Sequence, residues 1–459
     1  MAAPKNTNVL EGSITRHVLR MLGPFSIAII ALISTGIVDT IYLGRLTDPA
    51  RPNLAIMALA ALGFAFPLTF IGNSANIGLG AGTMSAVSRA LGEDDPERAG
   101  RHGAAAIFLA LFVMSILVAM MLLAAPYILP ISGASGEVAS MAMGYLLISM
   151  PGLIIVSVAS MSNNILRAHG EAALPSAIMI SAAIINIILD PFLIFGWWIF
   201  PRMEVQGAAL ATLIGNCFGA LFGLYIVLIH RKAISFLGMT MKSMRRAWGI
   251  IGQVGLPAAG TNIIVPVATF AAVAIIGNVL TEADVAAFTV ASRAELLSVG
   301  ILYALSACIG AITGRNGGAG KTERVSEAFR VCYLICVIWG TFMAAILAVF
   351  AHQVAGIFTN DALLIEKIIP YFYIVPITIF GYGFVFVSAA GLNALGRPVY
   401  GLVYTIIRSL ILYIGLIFIG VMTAGLTGAF VGVAAANIIS GIIAITWTLR
   451  RAPMDAKKS

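Results

Sequence analysis

The chain has 459 residues, of which 60% are hydrophobic and only 10% charged, with a mean hydropathy of +1.01. These values exclude an ordinary soluble domain, and once the apolar runs are placed they leave no room for an extramembrane one. The net charge of +8 invites a nucleic-acid partner, but its distribution along the chain is accounted for by membrane topology.

Apolar runs of roughly twenty residues recur about twelve times, near 20–44, 54–80, 103–125, 138–160, 174–198, 205–229, 251–280, 285–312, 328–350, 368–390, 399–423 and 426–447. The N-terminal MAAPKNTNVLEGSITRH lacks the basic, apolar, small-residue pattern of a cleaved signal, so the first span is expected to be retained. Placing both termini and the even-to-odd connections in the cytoplasm puts 21 of the 27 Lys and Arg residues there. Four (Arg45, Arg51, Arg202, Lys367) then lie outside and two (Arg293, Arg408) within spans. That asymmetry predicts cytoplasmic termini, and the basic stretch from His230 to Trp248 is its strongest contributor.

Span one carries Pro24, which frees a carbonyl and permits bending, and Asp39 about five residues short of its outer end. Span five carries a second carboxylate, Asp190, within SAAIINIILDPFLIFG and roughly seven residues short of its outer end. An ionised Asp at the bilayer centre costs at least ~2.5–3.5 kcal/mol, so each must face protein, water or an ion. At 1.5 Å of rise per residue the two lie at nearly one depth. Asn186 sits one turn before Asp190 on the same face, and Pro191 removes the amide that would bond the Ile187 carbonyl. Span six brings Thr212 to the same level, beside a ridge of Gly207, Ala211 and Gly215. Asp39, Asn186, Asp190 and Thr212 therefore form a candidate oxygen cluster for a proton or a small hard cation such as Na⁺. Structural alternatives are a buried Asp capping the Pro191 kink and a Thr212 hydroxyl bonding its own helix.

Other features carry no chemistry of their own. The GKT in CIGAITGRNGGAGKTERVSEA lacks the glycine that a phosphate-binding loop needs, because Arg315 stands there, and a membrane helix precedes it where a strand is required. Cys217, Cys308, Cys332 and Cys336 form no CxxC and read as packing residues, and the five His residues sit at span ends or in loops. Met57, Phe64, Phe66, Met150, Met161 and Phe288 suit an adaptable substrate lining, or simply the core.

The chain also repeats itself. NNILRAHGEAALP echoes GLNALGRP, and QGAALATLIGN echoes TGAFVGVAAAN, which divides it into two six-span halves of like orientation. The predicted organisation is an N-terminal lobe over 1–230, a basic cytoplasmic linker over 231–250 and a C-terminal lobe over 251–459. The second half carries Arg293 and Glu295 in its second span and Arg408 in its fifth. Structural neutralisation, with Glu295 against Arg408, is the expected role of this charge network; direct participation in transport is the alternative.

Together, the Pro24…Asp39 span, GAGTMSAVSRALG, the NxxLDPxLIFG pattern of Asn186–Gly196, GAAxAT over Gly207–Thr212, and SRAE in span eight resemble the multidrug and toxic compound extrusion (MATE) family, and most closely its DNA-damage-inducible and archaeal-type branch. The resemblance implies an all-α polytopic membrane protein, with twelve transmembrane helices in two six-helix lobes related by a pseudo-twofold axis. It further implies a multidrug antiporter of the plasma (inner) membrane that exports amphipathic, often cationic molecules against H⁺ or Na⁺. By that likeness Asp39, Asn186, Asp190 and Thr212 match the family's N-lobe cation site, and Pro24 matches the bend of its first helix. Spans seven and ten hold no clear acidic residue, which leaves a C-lobe ion site of another branch's type without its carboxylates. The implied partners are a drug-like small molecule and the bilayer, with no nucleic acid, no nucleotide and no cofactor beyond the coupling ion, in a monomer. A lipid-linked sugar flippase of the wider superfamily is the rival transporter reading. An enzyme lacks a nucleophile or metal centre inside the spans.

Overall fold

The structure, a computed structural model, describes residues 11–169, 171, 173–395 and 397–455, and all regular elements among them are helical. In chain order these are α1 (Ile14–Leu43), α2 (Leu54–Gly92), α3 (Pro96–Ile131), α4 (Gly136–Ala168), α5 (Ala173–Phe195), α6 (Glu204–Tyr225), α7 (Met241–Val279), α8 (Glu282–Gly318), α9 (Thr322–Val349), α10 (Ala351–Phe358), α11 (Ala362–Ile374), α12 (Ile379–Ala394), α13 (Pro398–Ile406) and α14 (Ile414–Asp455). A wider π-turn over Ile226–His230 extends α6, and another over Ile407–Tyr413 joins α13 to α14.

Each expected span falls on this helical framework. Among the described residues nine stretches are long and apolar enough to cross a membrane as they stand, and α8, bent by 46° between Leu296 and Ser298, makes a tenth. The last of the nine, Val399–Arg450, holds two spans. Inside α14, Ala424 leaves helical geometry and Gly425 adopts φ +61, a conformation natural only to glycine. Beyond this break the chain doubles back. A Cβ on Gly420 would strike the Gly428 carbonyl and the reverse, while Gly432 meets the Leu416 carbonyl, so the two halves of α14 pack antiparallel, backbone on backbone. With α1 on the first apolar run, the helices account for all twelve.

The chain forms two compact units, residues 38–289 and residues 1–37 together with 290–459. Their boundaries fall inside α1 and α8, a different division from one at the basic 231–250 segment. The physical reason lies in α7. Gly78 and Gly82 of α2 admit the Gly255 and Ile251 carbonyls of α7, and Ser74 Oγ donates to the Asn262 carbonyl at 3.1 Å. These glycines of α2 are thus a ridge that binds α7 to the 38–289 unit.

At one end of the 38–289 unit, the loop between α1 and α2 and the first turns of two distant helices meet on one guanidinium. Arg51 pairs with Asp48 at 3.0 Å, with Glu137 of the first turn of α4 at 3.1 Å, and with Glu204 of the first turn of α6. Arg202 adds a bond to the Thr47 carbonyl at 3.0 Å. The Ala50 amide, and after it Arg51, hold the Asp48 carboxyl below its usual range. A depressed carboxylate stabilises the fold above the unfolded value of about 3.9 and loses that contribution as pH falls through the folded value. Arg51→Gln is therefore expected to melt about 1–3 °C below wild type at neutral pH. Thermal unfolding in detergent should show the gap narrowing as the pH is taken from 6 down below 4; a gap independent of pH would contradict the assignment.

Candidate functional site

The oxygen cluster is assembled from three helices of the 38–289 unit. Asp190 of α5 is fully buried, Asn186 of the same helix is 3% exposed, and Asp39 of α1 is 7% exposed. One helical turn places Asn186 under Asp190, and Asn186 Nδ2 donates both to Asp190 Oδ1 at 3.3 Å and to Thr212 Oγ1 of α6 at 3.1 Å. The Asp39 carboxyl stands beside that of Asp190, close enough for the two side chains to interact directly.

The small-residue ridge of α6 makes this possible. A Cβ on Gly207 would come within 2.5 Å of the Leu193 carbonyl, and one on Gly215 within 2.6 Å of the Ala182 carbonyl. The two backbones run in contact, and so a hydroxyl as short as that of Thr212 reaches Asn186. In the second repeat Gly428, which matches Gly207, and Gly432, which matches Ala211, close the hairpin of α14.

What the cluster can do follows from what it leaves unmet. Asp190 Oδ2 and Asn186 Oδ1 are buried and accept no hydrogen bond. Two neighbouring carboxyl groups hold only acceptors toward each other when both are ionised, and burying such a pair is costly. A shared proton or a small hard cation supplies what the site lacks; its donor set of carboxylate, amide and hydroxyl oxygens fits either.

The remaining expected residues distribute as follows. Pro24 lies on α1, in a stretch whose side chains fall outside those described. α5 runs through Pro191 to Phe195. Of the six suggested lining residues, Phe64, Met150, Met161 and Phe288 are packed core. Cys308, Cys332 and Cys336 are buried free thiols.

Arg293 and Arg408 are both 5% exposed, in the unit formed by 1–37 and 290–459. Glu295 lies within electrostatic range of Arg408, but no ion pair closes between them among the described residues. The two charges therefore interact across space without direct contact. The Arg408 guanidinium carbon lies over the Tyr382 ring, 3.2 Å from its centroid, and Nη2 donates to Asn437 Oδ1 at 3.1 Å. Neither Tyr382 nor Asn437 stands out in the sequence as a site residue. Only the place of Asn437 in TGAFVGVAAAN, matching Asn216 of QGAALATLIGN, marked it.

Helices of membrane length around charges sunk in their apolar interior define a polytopic membrane transporter. The MatE family profile matches residues 24–192 and 257–419. The FAD transporter of Shewanella oneidensis is 29% identical over 434 residues, covering 95% of this chain and 94% of the relative. The multidrug export protein MepA of Staphylococcus aureus is 26% identical, covering 92% and 90%. An inward-facing solved structure of a multidrug resistance MATE transporter superposes with a TM-score of 0.84 at 25% identity, over 95% of this chain and 99% of that one. The chain belongs to the MATE family of transporters.

Proposed function

We propose that this transporter couples export of amphipathic small molecules to the inward movement of a cation, with Asp39 and Asp190 holding that cation and Asn186 and Thr212 completing the site. The observation that carries the proposal is the buried Asp190 oxygen with no donor, beside a second carboxyl group. A carboxylate pair at one depth exchanges its occupant only when the site changes its exposure, which is what alternating access requires. The Lys and Arg asymmetry favours cytoplasmic termini in a plasma (inner) membrane, and nothing in the proposed cycle needs more than a monomer.

Two relatives carry different substrate names, a multidrug export protein and a FAD transporter. A flippase for lipid-linked sugars is the rival reading, with Arg293 and Arg408 as the intramembrane cations for its headgroup, and an assay of lipid-linked glycan translocation distinguishes the two.

Vesicles with independently imposed pH and Na⁺ gradients test the coupling. Ethidium efflux is expected to follow at least one gradient in wild type and neither in Asp39→Asn. Thr212→Val separates the ions, since a hydroxyl ligand matters to Na⁺ coordination and not to a proton shared by two carboxyls. Gradient-driven efflux undiminished in Asp39→Asn would remove the carboxylate pair from the mechanism.

A further inference from the structure

The buried charges of the two units differ in sign. The spans of the 38–289 unit hold Asp39 and Asp190, whereas those of the other hold Arg293, Glu295 and Arg408. Arg408 sits on the Ile407–Tyr413 π-turn, a distortion frequent at functional sites. A guanidinium has five N–H donors; among the described residues Asn437 Oδ1 accepts from this one at 3.1 Å and Ser409 Oγ at a long 3.5 Å, with the Tyr382 hydroxyl near enough to interact as well. Arg408 Nε is buried without an acceptor. A purely structural arginine would close on Glu295 and satisfy that edge; this one does neither.

Its surroundings hold it ready. Asn437 Nδ2 donates to Thr378 Oγ1 at 3.4 Å, which turns the amide oxygen toward Arg408. Gly381 and Gly441 let α12 and α14 touch backbone to backbone, fixing Asn437 beside the tyrosine. Tyr382 packs against the guanidinium, and Nε is left without an acceptor on an N–H edge of the kind that binds a carboxylate or phosphate. Beyond Tyr382, rings continue outward: Tyr382 stacks on Phe386 at 4.3 Å, and Phe386 lies 4.5 Å from Tyr303, which is 37% exposed. An aromatic ladder thus leads from an exposed tyrosine to a buried, incompletely satisfied cation.

We infer that Arg408 receives the phosphate or carboxylate of a planar aromatic anion, and that this contact sets the charge class of the exported substrate. The inference rests on the export reading above. Glu295 is the counterweight: its charge opposes the anion, so removing it strengthens binding.

The test is equilibrium binding to purified protein in lipid nanodiscs, read by flavin fluorescence without any gradient, so that a failure of cation coupling leaves the result intact. Flavin mononucleotide and riboflavin share one ring system and differ by a phosphate. Wild type is expected to bind the phosphorylated ligand about 10- to 100-fold more tightly. Arg408→Gln is expected to erase the difference, Arg408→Lys to reduce it, and Glu295→Gln to widen it. Equal affinity for the two ligands in wild type would overturn the inference, as would a folded Arg408→Gln that keeps the preference. Should Arg408→Gln fail to fold, an unchanged preference in Glu295→Gln and Arg408→Lys would overturn it as well.

Discussion

Asp190→Asn is expected to abolish gradient-driven export, by on the order of 100-fold, the loss that removing one charged partner of about 3 kcal/mol amounts to. The same variant should reach the membrane at normal abundance and melt no lower than wild type. Both halves of that result follow from the site. Asn has nearly the shape of Asp and can still meet Asn186 Nδ2 through its amide oxygen, so the 3.3 Å contact survives. What disappears is a charge with no bond at Oδ2, held beside a second carboxyl group, and relieving it costs the fold nothing. A residue whose loss removes function while sparing stability is placed for chemistry and not for packing. Asn186→Ala should fall between, at about 10-fold, because it strips a donor from both Asp190 and Thr212 while leaving the carboxyl pair. The double variant should be no worse than Asp190→Asn alone, since the residues act as one unit. Export by Asp190→Asn within twofold of wild type, after correction for abundance, would contradict the assignment.

Why this cluster was legible before any coordinates is a matter of cost. Charges in apolar runs are rare because lipid penalises them, so Asp39 and Asp190 announce themselves, and counting residues to the span ends puts them at one depth. The small-residue ridge of α6 was legible for a related reason, since repetition every fourth residue names one face of a helix.

The partners of Arg408 were hidden. An aromatic residue in an apolar span costs nothing wherever it points, so Tyr382 carries no directional signal. The π-turn over Ile407–Tyr413 also shifts the phase by which a 3.6-residue repeat would have aimed Arg408. Arg51 was hidden differently. Counted as one of four positive residues on the outer side, it looked like noise in a topological rule. Its partners Glu137 and Glu204 lie 86 and 153 residues away, beyond any local pattern. The placement of α7 is a third case, because Gly78 and Gly82 precede a turn in sequence and nothing local says that α7 will lie along them.

Gly215→Ala is expected to destabilise the protein by about 1–3 kcal/mol and to weaken coupled export with it, although the residue bears no polar atom that touches the cluster. The added methyl would lie 2.6 Å from the Ala182 carbonyl, an immovable backbone atom, and 3.4 Å from Asn186 Cβ. Relief requires α6 to move away from α5 at the level where Asn186 Nδ2 bridges to Thr212, so the 3.1 Å bond lengthens as the helices part. Gly207→Ala meets the Leu193 carbonyl at 2.5 Å and should cost as much in stability, but with less effect on export, because it opens the pair further from Asn186. Gly219→Ala, whose methyl would meet the Ala182 Cβ at 3.3 Å and Ile178 no nearer than 3.8 Å, should be milder on both counts. Gly249→Ala and Gly252→Ala serve as references: a Cβ there meets nothing within 4 Å, and alanine favours the helix by roughly 1 kcal/mol over glycine. Thermal unfolding in detergent combined with vesicle efflux distinguishes the cases. If Gly215→Ala melts with the reference variants, close backbone contact between α5 and α6 is not what holds the cation cluster together.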